Sequence, residues 1–162
     1  MVRFIAVDVT DARAHALVTE YFADRARSFP ANQGTYRTTF PDPAAFTPPA
    51  GVFLVVVTAG TPEADDAVGC GGIRRIEAAA ADEIRYEVKH LWLQPHTRGS
   101  GAGRALLSEL EARARAFGAT ELVLDTNANL AAAGGLYRSS GFHEIPPYND
   151  NPNATTWFRK TL

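Results

Sequence analysis

Cysteine is nearly absent from this chain. Cys70 stands alone, which excludes an intrachain disulfide and any zinc site built on several thiolates. The four histidines, His15, His90, His96 and His143, show no metal-ligand spacing, so no metal is expected. No run approaches the roughly 20 apolar residues of a membrane span. The opening residues 1–16 hold a short apolar run that gives way to acidic and polar residues, without the long core and small-residue cleavage site of a signal peptide. The expectation is a cytoplasmic protein with no membrane partner. Neither charge sign dominates. Sixteen Lys and Arg against eighteen Asp and Glu leave a formal net charge of -2. A broad nucleic-acid footprint, which needs a clustered basic surface, is not expected. There is still room for a local basic pocket, and Arg98 and Arg104 lie close in sequence.

What is present suits a folded chain. Of 162 residues, 46% are hydrophobic and 21% charged, which fits one domain over residues 1–162 with a single core and no need of covalent staples. Residues 2–9 read as a strand. Thr10 or Asp11 can cap a helix to about residue 28, with Ala16, Leu17, Val18, Tyr21, Phe22 and Ala26 at helical spacing. Residues 29–49 combine prolines with Phe29, Tyr36, Phe40 and Phe46. This is loop chemistry with hydrophobic anchors, with room for a short helix. Residues 52–58, 67–76 and 83–93 read as three strands of an antiparallel meander, with polar turns at 60–66 and 77–82. A loop over 94–103 then leads into a helix over 104–117, whose apolar face is Leu107, Leu110, Ala114 and Phe117. A strand over 121–126, a short helix over 130–140 and two strands over 142–145 and 155–162 complete the chain. The closing segment is apolar enough to complete a sheet or to sit in a homodimer contact.

The most informative stretch joins the long strand to the helix after it: Gln94-Pro95-His96-Thr97-Arg98-Gly99-Ser100-Gly101-Ala102-Gly103-Arg104. Alternating glycines permit positive φ and close approach of a ligand. The first turn of a helix leaves amide N–H groups unpaired, and with the helix dipole these favour an anion. Arg98 and Arg104 can add charge-assisted bonds to phosphate. A Walker-type loop would end Gly-Lys-Ser/Thr, whereas this one ends Gly-Arg-Ala. A dinucleotide fingerprint would place glycine where Arg104 stands, and would open the first of several strand-helix units. Asp125 lies at about the distance of a ribose-binding acid, yet only one such unit is present.

The run Arg98-Gly99-Ser100-Gly101-Ala102-Gly103 resembles the phosphate motif of the GNAT acetyltransferase superfamily, Arg/Gln-x-x-Gly-x-Gly/Ala. Leu91-Trp92-Leu93-Gln94-Pro95 is similar to that family's strand and proline turn. Leu136-Tyr137-Arg138-Ser139-Ser140-Gly141-Phe142 is similar to its Leu-Tyr-x-x-x-Gly-Phe signature. The likeness covers residues 68–162; residues 1–65 fit by strand-helix pattern alone. It implies a mixed, mostly antiparallel central sheet, splayed at the cofactor site and flanked by about four helices. It implies acetyl-CoA as acetyl donor, with the pyrophosphate on the amides of Arg98, Gly99, Ser100, Gly101, Ala102, Gly103 and Arg104. Backbone groups around Trp92, those of Leu91 and Leu93, would hold the pantetheine arm like an added strand. Asn127 or Asn129 would reach the pantetheine or the thiol end. The chain departs from the family's Asn-x-x-Ala-x-x-Leu-Tyr pattern, since Asn129 lies one residue too far from Tyr137.

The implied reaction is direct transfer of acetyl from a thioester to an amine. It needs a neutral amine and a stabilised leaving thiolate. Tyr137 is the expected general acid, against the alternative of a core tyrosine whose hydroxyl is bonded to a carbonyl. Glu87 is the expected base, directly or through water, against an ion pair with Lys89 or Arg85 or a simple exposed strand position. His90 is a weaker base candidate. Cys70, in Val-Gly-Cys-Gly-Gly, reads as a packing residue. The acceptor is expected to be a small-molecule amine, bound by residues 29–46 and 145–153, with Tyr36, Arg37, Phe40, Tyr148 and Asp150 as candidates. A peptide or protein acceptor, or a non-catalytic acyl-CoA-binding module, are the alternatives.

Overall fold

Short β-branched and apolar residues make a first strand, β1 (Val2–Val7), in the computed structural model, which describes residues 1–58 and 66–162. Helix α1 (Ala12–Ser28) follows, capped by the Asp11 carboxylate, which accepts from the Arg13 amide at 2.9 Å. Its buried stripe is Ala14, Leu17, Val18 and Phe22. Ala16 and Ala26, expected in that stripe, are exposed. The proline-rich stretch after it makes only two short 3-10 turns, Ala31–Gln33 and Pro43–Phe46. The expected fourth helix is therefore absent from the described residues. Prolines lack the amide that helix propagation needs.

Strands β2 (Gly51–Thr58), β3 (Ala67–Ile76) and β4 (Arg85–Leu93) form the expected antiparallel meander. The expected turn over 60–66 lies, Asp66 apart, outside the described residues. Helix α2 (Ala102–Ala116) begins two residues earlier than its apolar pattern suggests. Strand β5 (Glu121–Thr126), helix α3 (Ala131–Ser139), β6 (His143–Ile145) and β7 (Thr156–Thr161) follow. The seven strands form one mixed sheet in the order β1-β2-β3-β4-β5-β7-β6. The closing segment thus completes the sheet, between β5 and β6.

Helices cover the two sheet faces. Leu106, Leu107, Leu110 and Ala114 of α2 are buried with Leu54, Val56, Tyr86 and Leu122 on one face. Leu17, Val18 and Phe22 of α1 are buried with Phe53, Val55, Cys70 and Trp92 on the other. Each large apolar side chain so covered contributes about 2 kcal/mol. Strand β3 admits these neighbours because it is glycine-rich. A Cβ on Gly72 would stand 2.8 Å from the Phe46 ring and 2.9 Å from the Phe53 ring, closer than packed carbons can approach.

Candidate active site

β4 and β5 are parallel neighbours over only three rungs, Arg85↔Glu121, Tyr86↔Leu122 and Glu87↔Val123. β4 then runs on to Leu93 and β5 to Thr126 without pairing to each other, so the sheet opens in a wedge. A second irregularity lies on the other side of β4. Cys70 pairs with Trp92 and Gly72 with Lys89, so Gly71 alone faces both His90 and Leu91. This is a β-bulge, and it places His90 at φ 55, a left-handed conformation uncommon outside glycine. The wedge opens into a cleft of about 360 Å³ lined by both strands, α1, the loop after α1, and Tyr137 of α3.

The loop from β4 to α2 has the geometry of an anion cradle. Gly99 and Gly101 have φ of 79 and 87, and a Cβ on either would meet nothing within 4 Å. Gly101 is the N-cap of α2 and supplies no side-chain cap. Only Ala102 receives a side-chain acceptor, the Ser100 hydroxyl at 3.4 Å. The amides of Gly99, Ser100, Gly101, Gly103 and Arg104 find no protein acceptor among the described residues. Unpaired amides at a helix N-terminus, with open space in front of them, can hold a phosphate. The donor set fits a diphosphate.

The two arginines of this loop are turned elsewhere. Arg98 donates through Nε to the Leu93 carbonyl at 3.0 Å and through its other end to Asp24 at 3.0 Å. Arg104 reaches across to the C-terminus of α3, donating to the Ser139 carbonyl at 3.2 Å and its hydroxyl at 2.7 Å. A cation at a helix C-terminus is favoured by the macrodipole. In this arrangement both side chains brace the loop.

Tyr137 is 7% exposed and packs against Phe142 and Phe158. Its hydroxyl makes no hydrogen bond among the described residues, so it is not the carbonyl-bonded core tyrosine of the alternative reading. Burial pushes its pKa up, which keeps the phenol protonated. Leu91 lines the cleft beside the bulge. Trp92 is buried, its indole donating to Asp24 at 2.9 Å, which leaves only its backbone for the wedge. Asn127 and Asn129 also line the cleft, but their amide groups tie loops together. Asn127 donates to Gln33 at 2.6 Å and to the Asn153 carbonyl at 3.1 Å, and Asn129 to the Ser28 carbonyl at 2.8 Å.

Glu87 does not line the cleft. It is 1% exposed and accepts from Arg74 at 2.9 Å and from the Tyr148 hydroxyl at 2.6 Å, with Lys89 at 3.6 Å. Its carboxylate is thus engaged with Arg74 and Tyr148 rather than open to the cleft. Tyr148, expected in the acceptor pocket, is spent on this contact, and Asp150 is not among the cleft residues; Tyr36, Arg37 and Phe40 are. His90 lies in the cleft against the rings of Tyr21, Phe22, Phe46 and Phe53. Burial, then Lys89 and Arg74, lower its pKa to about 3 despite Asp125, so it is a neutral and feeble base. Burial pushes the Cys70 thiol up, in keeping with packing.

Sequence reasoning missed Asp24, Tyr21 and Arg25 on α1, and the pairing of Lys89 with Asp125 across the wedge at 2.9 Å. None has a local signal, since Asp24 meets Trp92 and Arg98 only after folding. Among the described residues no group of three or more His, Cys, Asp or Glu could hold a metal. No described helix is long and apolar enough to cross a membrane.

Residues 5–142 match the model of the acetyltransferase (GNAT) family. The chain belongs to the GNAT acetyltransferases. It is 40% identical over 97 residues to an IAA acetyltransferase of Azospirillum brasilense, covering 59% of this chain and 57% of that protein. It is 32% identical over 107 residues to an N-acetyltransferase of Schizosaccharomyces pombe, covering 66% and 61%. The matched region thus spans about three-fifths of these curated relatives. Among solved structures, an acyl-CoA N-acyltransferase assignment from Klebsiella pneumoniae is 27% identical, with a TM-score of 0.70 over 100% of this chain and 98% of the other. A GNAT acetyltransferase of Staphylococcus aureus, 14% identical, has a TM-score of 0.76 over 100% and 99%, a likeness of fold alone. Membership of this family implies an acyl-CoA, and the unpaired amides at the start of α2 are donors of the kind its diphosphate would need.

Proposed function

We propose that this GNAT protein, a single domain over residues 1–162, moves an acetyl group from acetyl-CoA to the primary amine of a small molecule by direct attack, with Tyr137 as general acid. The observation that carries the reading is the unpartnered Tyr137 hydroxyl, held by packing at the wedge between β4 and β5. When bound, acetyl-CoA supplies an activated thioester. The amides of residues 99–104 hold its diphosphate, and the open β4 edge at Leu91 and Leu93 takes its pantetheine arm as a strand would be taken. Asn127 and Asn129 keep the far wall in place. The amine nitrogen forms the new C–N bond as the C–S bond breaks. Tyr137 donates its proton to the departing sulfur and recovers one from the nitrogen, so proton count balances. Glu87 holds Arg74 and Lys89 at the wall of the cleft and Tyr148 behind it, and the amine enters in its neutral form.

Tyr137→Phe tests this. Its packing is kept, so the unfolding midpoint should stay within about 2 °C, while kcat falls about 10²-fold or more with little change in affinity for acetyl-CoA by calorimetry. Undiminished kcat removes Tyr137 from the chemistry. Binding of acetyl-CoA with no turnover on any amine would favour a non-catalytic module. Acetylation of peptides but not of free amines would favour a peptide or protein acceptor.

A further inference from the structure

The charged groups that line the cleft do not balance. Four are cationic, Arg25, Arg37, Arg74 and Lys89, and one is a carboxylate, Asp125. Two cations are accounted for. Arg74 donates to Glu87 at 2.9 Å, and Lys89 to Asp125 at 2.9 Å. The other two are less well matched. Arg37 is anchored through its backbone, whose amide and carbonyl both bond to Asn153, while its guanidinium has no hydrogen-bond or ion-pair partner among the described residues. Arg25 is the stronger observation. Its side chain is only 18% exposed, yet its nearest carboxylate, Asp24, stands at 3.8 Å. That Asp24 oxygen already accepts from Trp92 and Arg98. The Arg25 guanidinium instead lies 5.2 Å over the Tyr21 ring. A largely buried guanidinium without a hydrogen-bonded anion is costly.

Coenzyme A phosphate does not answer this charge, because none of residues 98–104 lines the cleft. The thioester end of the donor is uncharged. An anion for these two guanidiniums can come with the other reactant. The lining around the two arginines is aromatic: Phe22, Phe29, Tyr36 and Phe40. We infer that the acceptor is an amino carboxylate with an aromatic or bulky apolar body, its carboxylate held between Arg25 and Arg37. This rests on the amine-transfer reading above and names its substrate class. Arginine suits the task because its planar fork matches a carboxylate bidentately.

Matched acceptors differing only in the carboxylate test the assignment. With acetyl-CoA as donor, L-phenylalanine is compared with phenethylamine, and kcat/KM is measured for the wild type and for Arg37→Gln. Wild type should prefer phenylalanine. In the variant the phenylalanine-to-phenethylamine ratio should fall about 10- to 100-fold, as for loss of a charged hydrogen bond, with the change in KM. Arg25→Gln should lower the same ratio. Should Arg25→Gln fail to fold, the exposed Arg37 carries the test alone. Equal or better use of phenethylamine by the wild type, or an unchanged ratio in Arg37→Gln, overturns this inference and leaves amine transfer standing. Acetylation of neither acceptor, nor of any amine, overturns both.

Discussion

His90 is held in an environment that only a neutral imidazole tolerates. Four aromatic rings surround it within 6.5 Å of its own, and neither ring nitrogen has a hydrogen-bond partner among the described residues. Its folded pKa of about 3 lies below the unfolded value of about 6.5. The unfolded chain therefore binds a proton in a range where the folded chain does not. Stability from this residue is full above about pH 6.5 and is lost as pH falls toward 3. Between pH 7 and 5 the loss should be about 2 kcal/mol. His90→Asn removes the titration while keeping a residue that accepts the left-handed backbone. Urea unfolding at the two pH values should show the wild type losing this increment and the variant losing little. Equal losses would place the acid sensitivity elsewhere.

At the scale of the element, the N-terminus of α2 is where geometry and function coincide. Gly101 caps it at φ 87 and faces open space. Gly101→Asp puts a second anion where the diphosphate is proposed to lie. Affinity for coenzyme A should fall at least about 10-fold by calorimetry, as the charge opposes the helix N-terminal field. Gly118→Ala is the control, because it too has positive φ and open space. It should cost about 1 kcal/mol of stability and leave coenzyme A affinity unchanged. Equal affinity losses in both would mean that only backbone strain was measured. This element was legible in sequence because its chemistry is contiguous: strand, glycines, helix. The meander was legible for the same reason, since short polar turns separate its apolar runs. The roles of Arg98 and Arg104 were not, because each is set by a partner far along the chain. Asp24 lies 74 residues from Arg98, and Ser139 lies 35 from Arg104. For Glu87 the sequence offered Lys89 or Arg85 as ion-pair partners, whereas Arg74 and Tyr148 arrive from β3 and from the loop before β7, and Arg85 is taken by Glu121. Residues 29–49, read as loop with room for a short helix, form only two 3-10 turns, because the aromatic anchors lie between prolines without a helical stripe.

For the molecule as a whole, the question is what holds a sheet together where its backbone has been opened. β4 and β5 share three rungs and then part. Beyond the last rung, side chains take over. Lys89 donates to Asp125 at 2.9 Å, and Asp125 accepts from Asn149 at 2.7 Å. Asn149 accepts in turn from Trp157 on β7 at 2.9 Å. Burial alone would raise the pKa of Asp125, but Lys89 and Asn149 hold it below the usual value. Asp125 is therefore ionised at neutral pH, and its contribution is lost only as pH falls below the ordinary carboxylate range. Asp125→Ala strands Lys89 with Glu87 at 3.6 Å. Breaking a buried pair from one side should cost about 3 kcal/mol, a fall in Tm of roughly 6–12 °C for a chain of this size. The double change Lys89→Met with Asp125→Leu removes both charges and should recover most of that stability. It should not recover turnover, because both residues line the cleft where β4 and β5 part. A double variant with full stability and full kcat/KM would show that the backbone alone sets the wedge. Restored stability with impaired turnover would assign the ion pair to the shape of the site.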